Sequence, residues 1–265
     1  MMHSDYIRVL FIADVIGNPG IEKLHSMLSL FQKKYGVHLT IANAENAASG
    51  KGLTPHIAQM LFDLGIDVLT SGNHIWNREK IVPLLENHPY LLRPLNYPPG
   101  CPGHGSCIFK TATGHSIGVI NLQGRSFLYP IDCPFRMADE ALENFREKGV
   151  NITILDFHAE ATAEKLALAW YLDGRVSAIF GTHTHVQTAD ERIFPKGTAY
   201  ITDVGMTGPP DSVIGMDPQS AILRFTTQLP VPYRIAENPA QFDAVMVDID
   251  PKTGKAIQIQ RFHEM

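Results

Sequence analysis

Five residues, Gly181-Thr182-His183-Thr184-His185, follow directly on an apolar run, Val176-Ser177-Ala178-Ile179-Phe180. A buried strand that ends in histidines spaced i and i+2 delivers two imidazoles to one side of an extended backbone. They would stand at the carboxyl edge of a sheet, in reach of one or two transition-metal ions. Other strand ends carry ligand-type residues too: Asp14, Glu45 with Asn46, Asn73 with His74, and His158.

Two divalent ions held close together require a bridging carboxylate and a mixed set of nitrogen and oxygen ligands. Glu45 is the candidate bridge. Asp14, Asn46 and His185 would complete one ion; Asn73, His158 and His183 would complete the other. A thiolate-free set of this kind suits Fe, Mn or Zn better than Ca or Cu(I). Iron or manganese is the first expectation, with zinc or magnesium as alternatives. Two such ions bring four positive charges, and Asp14, Glu45 and a bridging hydroxide bring three negative ones. The centre would keep about +1 for an anionic substrate. A phosphate could then bridge the ions while the hydroxide attacks phosphorus in line. His74 follows a proposed ligand and is the candidate general acid for the leaving oxygen, a role worth ~10²–10⁴-fold in rate.

The elements that must position these residues follow from hydrophobic periodicity. Strands are expected over residues 7–13, 38–42, 66–70, 117–122, 152–157 and 176–180. Helices are expected over 21–35, from Thr54-Pro55 to about Gly65, over 137–148 and over 162–171. Gly17-Asn18-Pro19-Gly20 reads as a turn, because it lacks the Gly-Lys-Ser/Thr of a phosphate loop. Residues 244–249 and 256–262 alternate around Asp250-Pro251-Lys252-Thr253-Gly254, a hairpin signal. The Pro- and Gly-rich stretch 93–103 reads as a surface excursion. Strands alternating with helices predict an α/β fold whose ligands gather at the carboxyl ends of the strands.

The 265 residues are expected to form a single domain spanning 1–265. A formal net charge of -5 argues against broad nucleic-acid binding, so no stable DNA binding is expected. The three cysteines, Cys101, Cys107 and Cys133, are odd in number and show no CxxC spacing. That favours a reducing compartment over a Cys101–Cys107 disulfide. The N-terminus, Met1 to Tyr6, lacks the features of a signal peptide, and no apolar stretch approaches ~18 residues. A cytoplasmic location and no membrane partner are the expectations.

The ordered set Asp14, Glu45-Asn46, Gly72-Asn73-His74, His158 and Gly181-Thr182-His183-Thr184-His185 resembles the calcineurin-like metallophosphoesterases, and within them the bacterial YmdB-like branch. Asn43-Ala44-Glu45-Asn46-Ala47-Ala48, Asn121-Leu122-Gln123-Gly124-Arg125, residues 156–162 and residues 197–208 carry the likeness over nearly the whole chain. The resemblance implies a four-layer α/β/β/α sandwich with a dinuclear centre. It also implies phosphodiesterase activity on 2′,3′-cyclic nucleotides, with 3′,5′-cyclic esters or RNA-like phosphodiesters beside them. A regulatory role in bacterial gene expression and a homo-oligomer are further implications. Two positions depart from the wider superfamily but agree with the branch. Asp14-Val15-Ile16 lacks the histidine of Asp-x-His, and Glu45 stands where an Asp bridge is usual. Asn73-His74-Ile75 also lacks the carboxylate that follows the superfamily's Asn-His. His185 is then the only imidazole expected on its ion, which should be the more oxygen-rich and the more weakly held.

Several residues have plainer readings. His3, His25, His38, His56, His88, His104, His115 and His263 need no special role. Asp14 alone could cap a turn, and Asn73 alone could be a turn residue. Asp156 could orient His158 or serve its strand. Arg125 could contact phosphate or lie at the surface. Thr182 and Thr184 would shape backbone, and Trp76 would belong to the core or to a substrate wall. The alternatives to a phosphodiesterase are a phosphomonoesterase or nucleotidase, and a metal-containing regulatory binding protein without turnover.

Overall fold

β1 (Ile7–Ile12) is buried along nearly its whole length, and its two faces serve different cores. The computed structural model describes residues 6–265, so His3 and all but the last residue of the N-terminal stretch lie outside the described residues. After the short β2 (Asp14–Val15) come α1 (Gly17–Tyr35), β3 (Leu39–Asn43), α2 (Pro55–Asp63), β4 (Val68–Thr70) and α3 (Val82–Asn87). The second half begins with the hairpin β5 (Ser106–Lys110) and β6 (Ser116–Gln123), then α4 (Pro134–Glu147), β7 (Ile152–His158), α5 (Thr162–Leu172) and β8 (Ala178–Thr182). It closes with β9 (Arg192–Ile193), β10 (Ala199–Ile201), β11 (Met206–Thr207), α6 (Pro218–Thr227), β12 (Phe242–Ile249) and β13 (Ala256–Glu264).

One sheet has the order β13-β12-β1-β3-β4, another β5-β6-β7-β8-β10-β9, and β11 pairs with β2 in a small parallel two-stranded sheet. The C-terminal hairpin flanks β1 antiparallel, while β1, β3 and β4 run parallel. Val9, Phe11 and Ala13 pack with Ile41, Val68, Val119, Ile154 and Phe180 in the core between the sheets. Leu10 and Ile12 face the other way, onto Leu24 and Leu28 of α1 and Ala58 and Leu61 of α2. On the far side Leu155, Phe157 and Ile179 pack on α4 and α5 through Ala138, Phe145 and Leu168. The layers are therefore α/β/β/α, as the resemblance implies.

Helix boundaries depart from expectation in two places. α1 begins at Gly17 and takes in the expected turn: Gly20 N–H donates to Ile16 O at 3.1 Å, and Pro19 sits in the first turn, where no donor is needed. α4 likewise starts at Pro134. Thr54 caps α2 as expected, accepting from Ile57 N–H at 3.3 Å. The excursion over 93–103 is pinned from within by the buried Arg93, whose guanidinium donates to carbonyls of Pro94, Leu95, Cys101, Pro102 and Gly103. All three cysteines are free. Among the described residues no helix is long and apolar enough to cross a membrane.

Phe11 and Phe180 meet across the sheets with ring centroids 4.9 Å apart. Phe11→Ala should cost about 3–5 kcal/mol in a urea unfolding titration, because the cavity opens between two sheets that cannot close on it.

Candidate metal centre

Each inward-facing column of side chains changes from apolar to polar at the carboxyl end of its strand. Ile41 is followed two residues on by Asn43, Val68 by Thr70, Val119 by Asn121 and then Gln123, Ile154 by Asp156 and then His158, and Phe180 by Thr182. Register aligns them, with Asn43 beside Thr70 and with Gln123, His158 and Thr182 in one row. The polar ends of both sheets thus face one buried space.

His158 stands at its centre. Its Nε2 lies 3.0 Å from Glu45 Oε1, 3.0 Å from His183 Nδ1 and 3.1 Å from Asn73 Oδ1. Ligand atoms of Glu45, His158 and His183 all fall within 4.8 Å of one another. On the other side of Glu45, Asn46 Nδ2 lies 3.4 Å from Glu45 Oε1 and 3.1 Å from His185 Nε2. Half a turn of that amide presents Oδ1, a ligand atom, in the same place. Asp14 is fully buried: its Oδ2 accepts from His183 N–H at 3.1 Å, and its Oδ1 has no partner. All seven expected ligand positions meet at this edge.

Contacts one layer out orient the ligands. Asp156 Oδ1 accepts from Thr182 Oγ1 at 2.7 Å, and Thr182 Oγ1 lies 2.9 Å from His158 Nδ1. With Asp156 ionised, the Thr182 proton goes to Asp156 and the His158 Nδ1–H goes to Thr182, which leaves Nε2 for the centre. Asp156 Oδ2 accepts from Thr70 Oγ1 at 2.5 Å and Asn43 Nδ2 at 3.0 Å. His183 Nε2 lies 3.1 Å from Glu160 Oε2, and His185 Nδ1 donates to Ile214 O at 2.9 Å. A Cβ on Gly72 would fall inside the His158 ring, so only glycine fits there.

The two-histidine motif departs from its expected geometry. β8 stops at Thr182, and His183 and His185 have φ of 101° and 65°, so neither is extended. The two imidazoles diverge because the backbone turns; an extended strand would have set them on one side, as the i, i+2 spacing predicted. Non-glycine residues with such φ values cost free energy and must be held from outside. Asp14 binds the N–H of His183, and Asp203 Oδ2 binds that of Thr184 at 3.0 Å. Asp203 is itself paired with the buried Lys165 at 2.8 Å.

Charge shows why a cation fits. Asp14, Glu45 and Asp156 are buried together, and burial raises Asp14 above the ordinary carboxylate range and pushes Asp156 up to about 7. For Glu45 burial also acts upward, but the His158 imidazole beside it wins and lowers it. His158 is raised in return against its own desolvation. His183 is pushed down to about 3, first by burial and then by its neighbour His158. A proton on His158 thus supplies the positive charge that the carboxylates demand, and the orphaned Asp14 Oδ1 still lacks a donor or cation.

His74 joins the cluster through its backbone: its N–H donates to Glu45 Oε2 at 2.9 Å. Its Nδ1 lies 3.0 Å from Asn77 Oδ1. Asn77 thus meets the His74 ring from three residues on, across a 3₁₀ turn, Ile75–Asn77. Sequence reasoning missed it, as it missed Asn43, Thr70 and Glu160; the alternation of β3 and β4 was the available signal for the first two. Arg125 is exposed, and Trp76 sits half-buried against Tyr97 with centroids 5.4 Å apart.

Two facing sheets with outer helices and a polar cluster at their carboxyl edge define a calcineurin-like phosphoesterase fold. It is shared with a 5′-nucleotidase precursor from Thermus thermophilus at TM-score 0.59 and 12% identity, over 98% of this chain and 54% of that one. The chain belongs to the YmdB-like protein family, whose model matches residues 10–262. It is 52% identical over 255 residues to the 2′,3′-cyclic-nucleotide 2′-phosphodiesterase of Bacillus subtilis (strain 168), covering 96% of each. A crystal structure of a hypothetical protein, also from Thermus thermophilus, superposes with TM-score 0.91 at 43% identity, over 97% of this chain and 98% of that one. A phosphatase structure from Mycoplasma pneumoniae also gives TM-score 0.91, at 36% identity, over 99% and 94%.

Thr182→Val removes the hydroxyl between Asp156 and His158 while keeping its shape. It should weaken retention of divalent metal about 10–100-fold, read by calorimetric titration of the metal-stripped protein.

Proposed function

We propose that the chain is a metal-dependent phosphoric diester hydrolase that opens 2′,3′-cyclic nucleotides, or the same group on RNA-like esters, at a dinuclear centre. The observation that carries this is the meeting of Glu45, Asn73 and His183 on His158 Nε2, with Asp14, Asn46 and His185 gathered on the other side of Glu45. The residues would hold one ion with Glu45, Asn73, His158 and His183, and a second with Asp14, Glu45, Asn46 and His185. When bound, divalent ions supply Lewis acidity and lower the pKa of water. The nitrogen- and oxygen-only donor set favours iron or manganese, with zinc or magnesium as alternatives. The name of the Bacillus subtilis relative supports the substrate class.

The chain's own groups do the rest. Glu45 spans the cluster, with Oε1 toward His158 and Oε2 holding the His74 N–H, so the general acid is fixed to the carboxylate between the two ligand sets. Asn77 holds Nδ1 of His74, which leaves Nε2 to give a proton to the leaving oxygen. Burial of Glu45 and His158 strengthens the contact between them, while His74 stands half-exposed, where a leaving group can reach it. We assign the protein to the cytoplasm, where its three free thiols stay reduced.

Glu45→Ala should empty the site of both ions by elemental analysis. His74→Ala should keep its metal and lose about 10²–10⁴-fold in kcat on 2′,3′-cyclic AMP. Unchanged turnover would remove His74 from the mechanism. A panel of mono- and diesters in which the monoesters turn over faster would replace the diesterase with a phosphomonoesterase.

A further inference from the structure

The loop after β6 leaves the same sheet edge as His158. Gly124 N–H donates to the His158 carbonyl oxygen at 3.0 Å, so the loop starts beside a candidate ligand. Its first turn is anchored on α5: Arg125 N–H and Ser126 N–H donate to the Glu164 carboxylate at 2.9 and 3.1 Å. Beyond that anchor Phe127 is 89% exposed and Tyr129 79% exposed. Phe127 also holds φ of 64°. A bulky side chain in the left-handed region with its ring in water is opposed by sterics and by hydration together. Neither ring contacts another aromatic ring among the described residues. The exposed Trp170 and Tyr171 of α5, by contrast, lie against Phe194 and Phe135.

We propose that Phe127 and Tyr129, with Arg125 beside them, form a stacking platform for the bases of a single-stranded RNA whose 2′,3′-cyclic phosphate end lies at the metal centre. This rests on the phosphodiesterase function proposed above and names its substrate as a strand, not a mononucleotide alone. Phe127 is three residues from Gly124, at most roughly 10 Å of chain, so the platform lies within reach of nucleotides next to the scissile group. Aromatic faces accept any base, and the Arg125 fork suits a phosphate. A cyclic ester to the 2′-oxygen requires ribose, so the strand is RNA. The net charge of -5 is compatible with this, because a few stacked bases need no long basic track.

The test uses the full metal-loaded chain, wild type against Phe127→Ala/Tyr129→Ala, with a Phe127→Trp variant as the conservative control. One readout is fluorescence anisotropy of a labelled short single-stranded oligoribonucleotide. The other is the ratio of kcat/KM on an oligoribonucleotide ending in a 2′,3′-cyclic phosphate to kcat/KM on 2′,3′-cyclic AMP. The double variant should weaken oligonucleotide binding, and lower that ratio, by about tenfold or more, while Phe127→Trp keeps both. An unchanged ratio and affinity, or a wild type that does not bind the oligonucleotide, overturns the platform. So does sedimentation showing that the double variant turns an oligomer into a monomer, which would give the rings to an interface between copies. Failure of the wild type to hydrolyse 2′,3′-cyclic AMP would instead strike the phosphodiesterase function, and anisotropy would still decide the platform.

Discussion

Buried negative charge is the constraint on which this molecule is organised. Asp14, Glu45 and Asp156 are withdrawn from water, and among the described residues none is ion-paired to a lysine or arginine. Taking an isolated carboxylate out of water costs several kcal/mol even after relaxation. Histidines, threonines and backbone N–H groups offset part of this, and the residual demand for positive charge makes the place suited to a cation. The one carboxylate nearby with a full counter-charge, Asp203 on Lys165, supports backbone and is not among the ligands.

The apolar core between the sheets makes such a site tolerable by fixing where it stands. Side chains of period two fill the space between the layers until the last residue or two of each strand, and there the same columns become polar. The change from Ile154 to Asp156 and His158, or from Phe180 to Thr182, needs no new element and no loop of special shape. Asn43, Thr70, Asp156, His158 and Thr182 lie on the strands, while Glu45, Asn46, Asn73, His183 and His185 follow in the turns just beyond the strand ends, with the inter-sheet packing below them as support.

Much of this was legible in the amino-acid sequence. The strands that carry the ligands showed as apolar runs that end in Asp, Glu, Asn or His, and the helices between them showed helical periodicity. What escaped was of three kinds. The extended geometry expected for His183 and His185 failed because the N–H groups of His183 and Thr184 donate to Asp14 and Asp203, which hold the backbone in a left-handed turn. The Thr182 and Asn77 roles depend on partners set by tertiary register: Thr182, expected to shape backbone, bridges Asp156 and His158 through its hydroxyl, and residue type alone assigns Asn77 nothing. The first turn of α1 was obscured because Gly17 to Gly20 has the composition of a turn, although proline and glycine are tolerated at a helix start. The short β9, β10 and β11 and the helix α6 lie in the stretch where apolar periodicity is weakest.

The place of β1 in its sheet has a consequence for the birth of the protein. β1 aims Asp14 at the centre, yet one of its two neighbours, β12, lies more than 230 residues further along the chain. During synthesis Asp14, Glu45 and Asn73 emerge first, and His158, His183 and His185 follow on the other sheet. Their own sheet stays open along β1 until residues 242–264 have left the ribosome. A shorter nascent chain can carry every donor and still lack the closed frame that holds them in register. The frame that holds the cluster in register therefore arises as the C-terminal hairpin closes. By this topology the cluster is framed only after β12 and β13 have been made, and loss of that hairpin would unsettle a cluster that contains none of its residues.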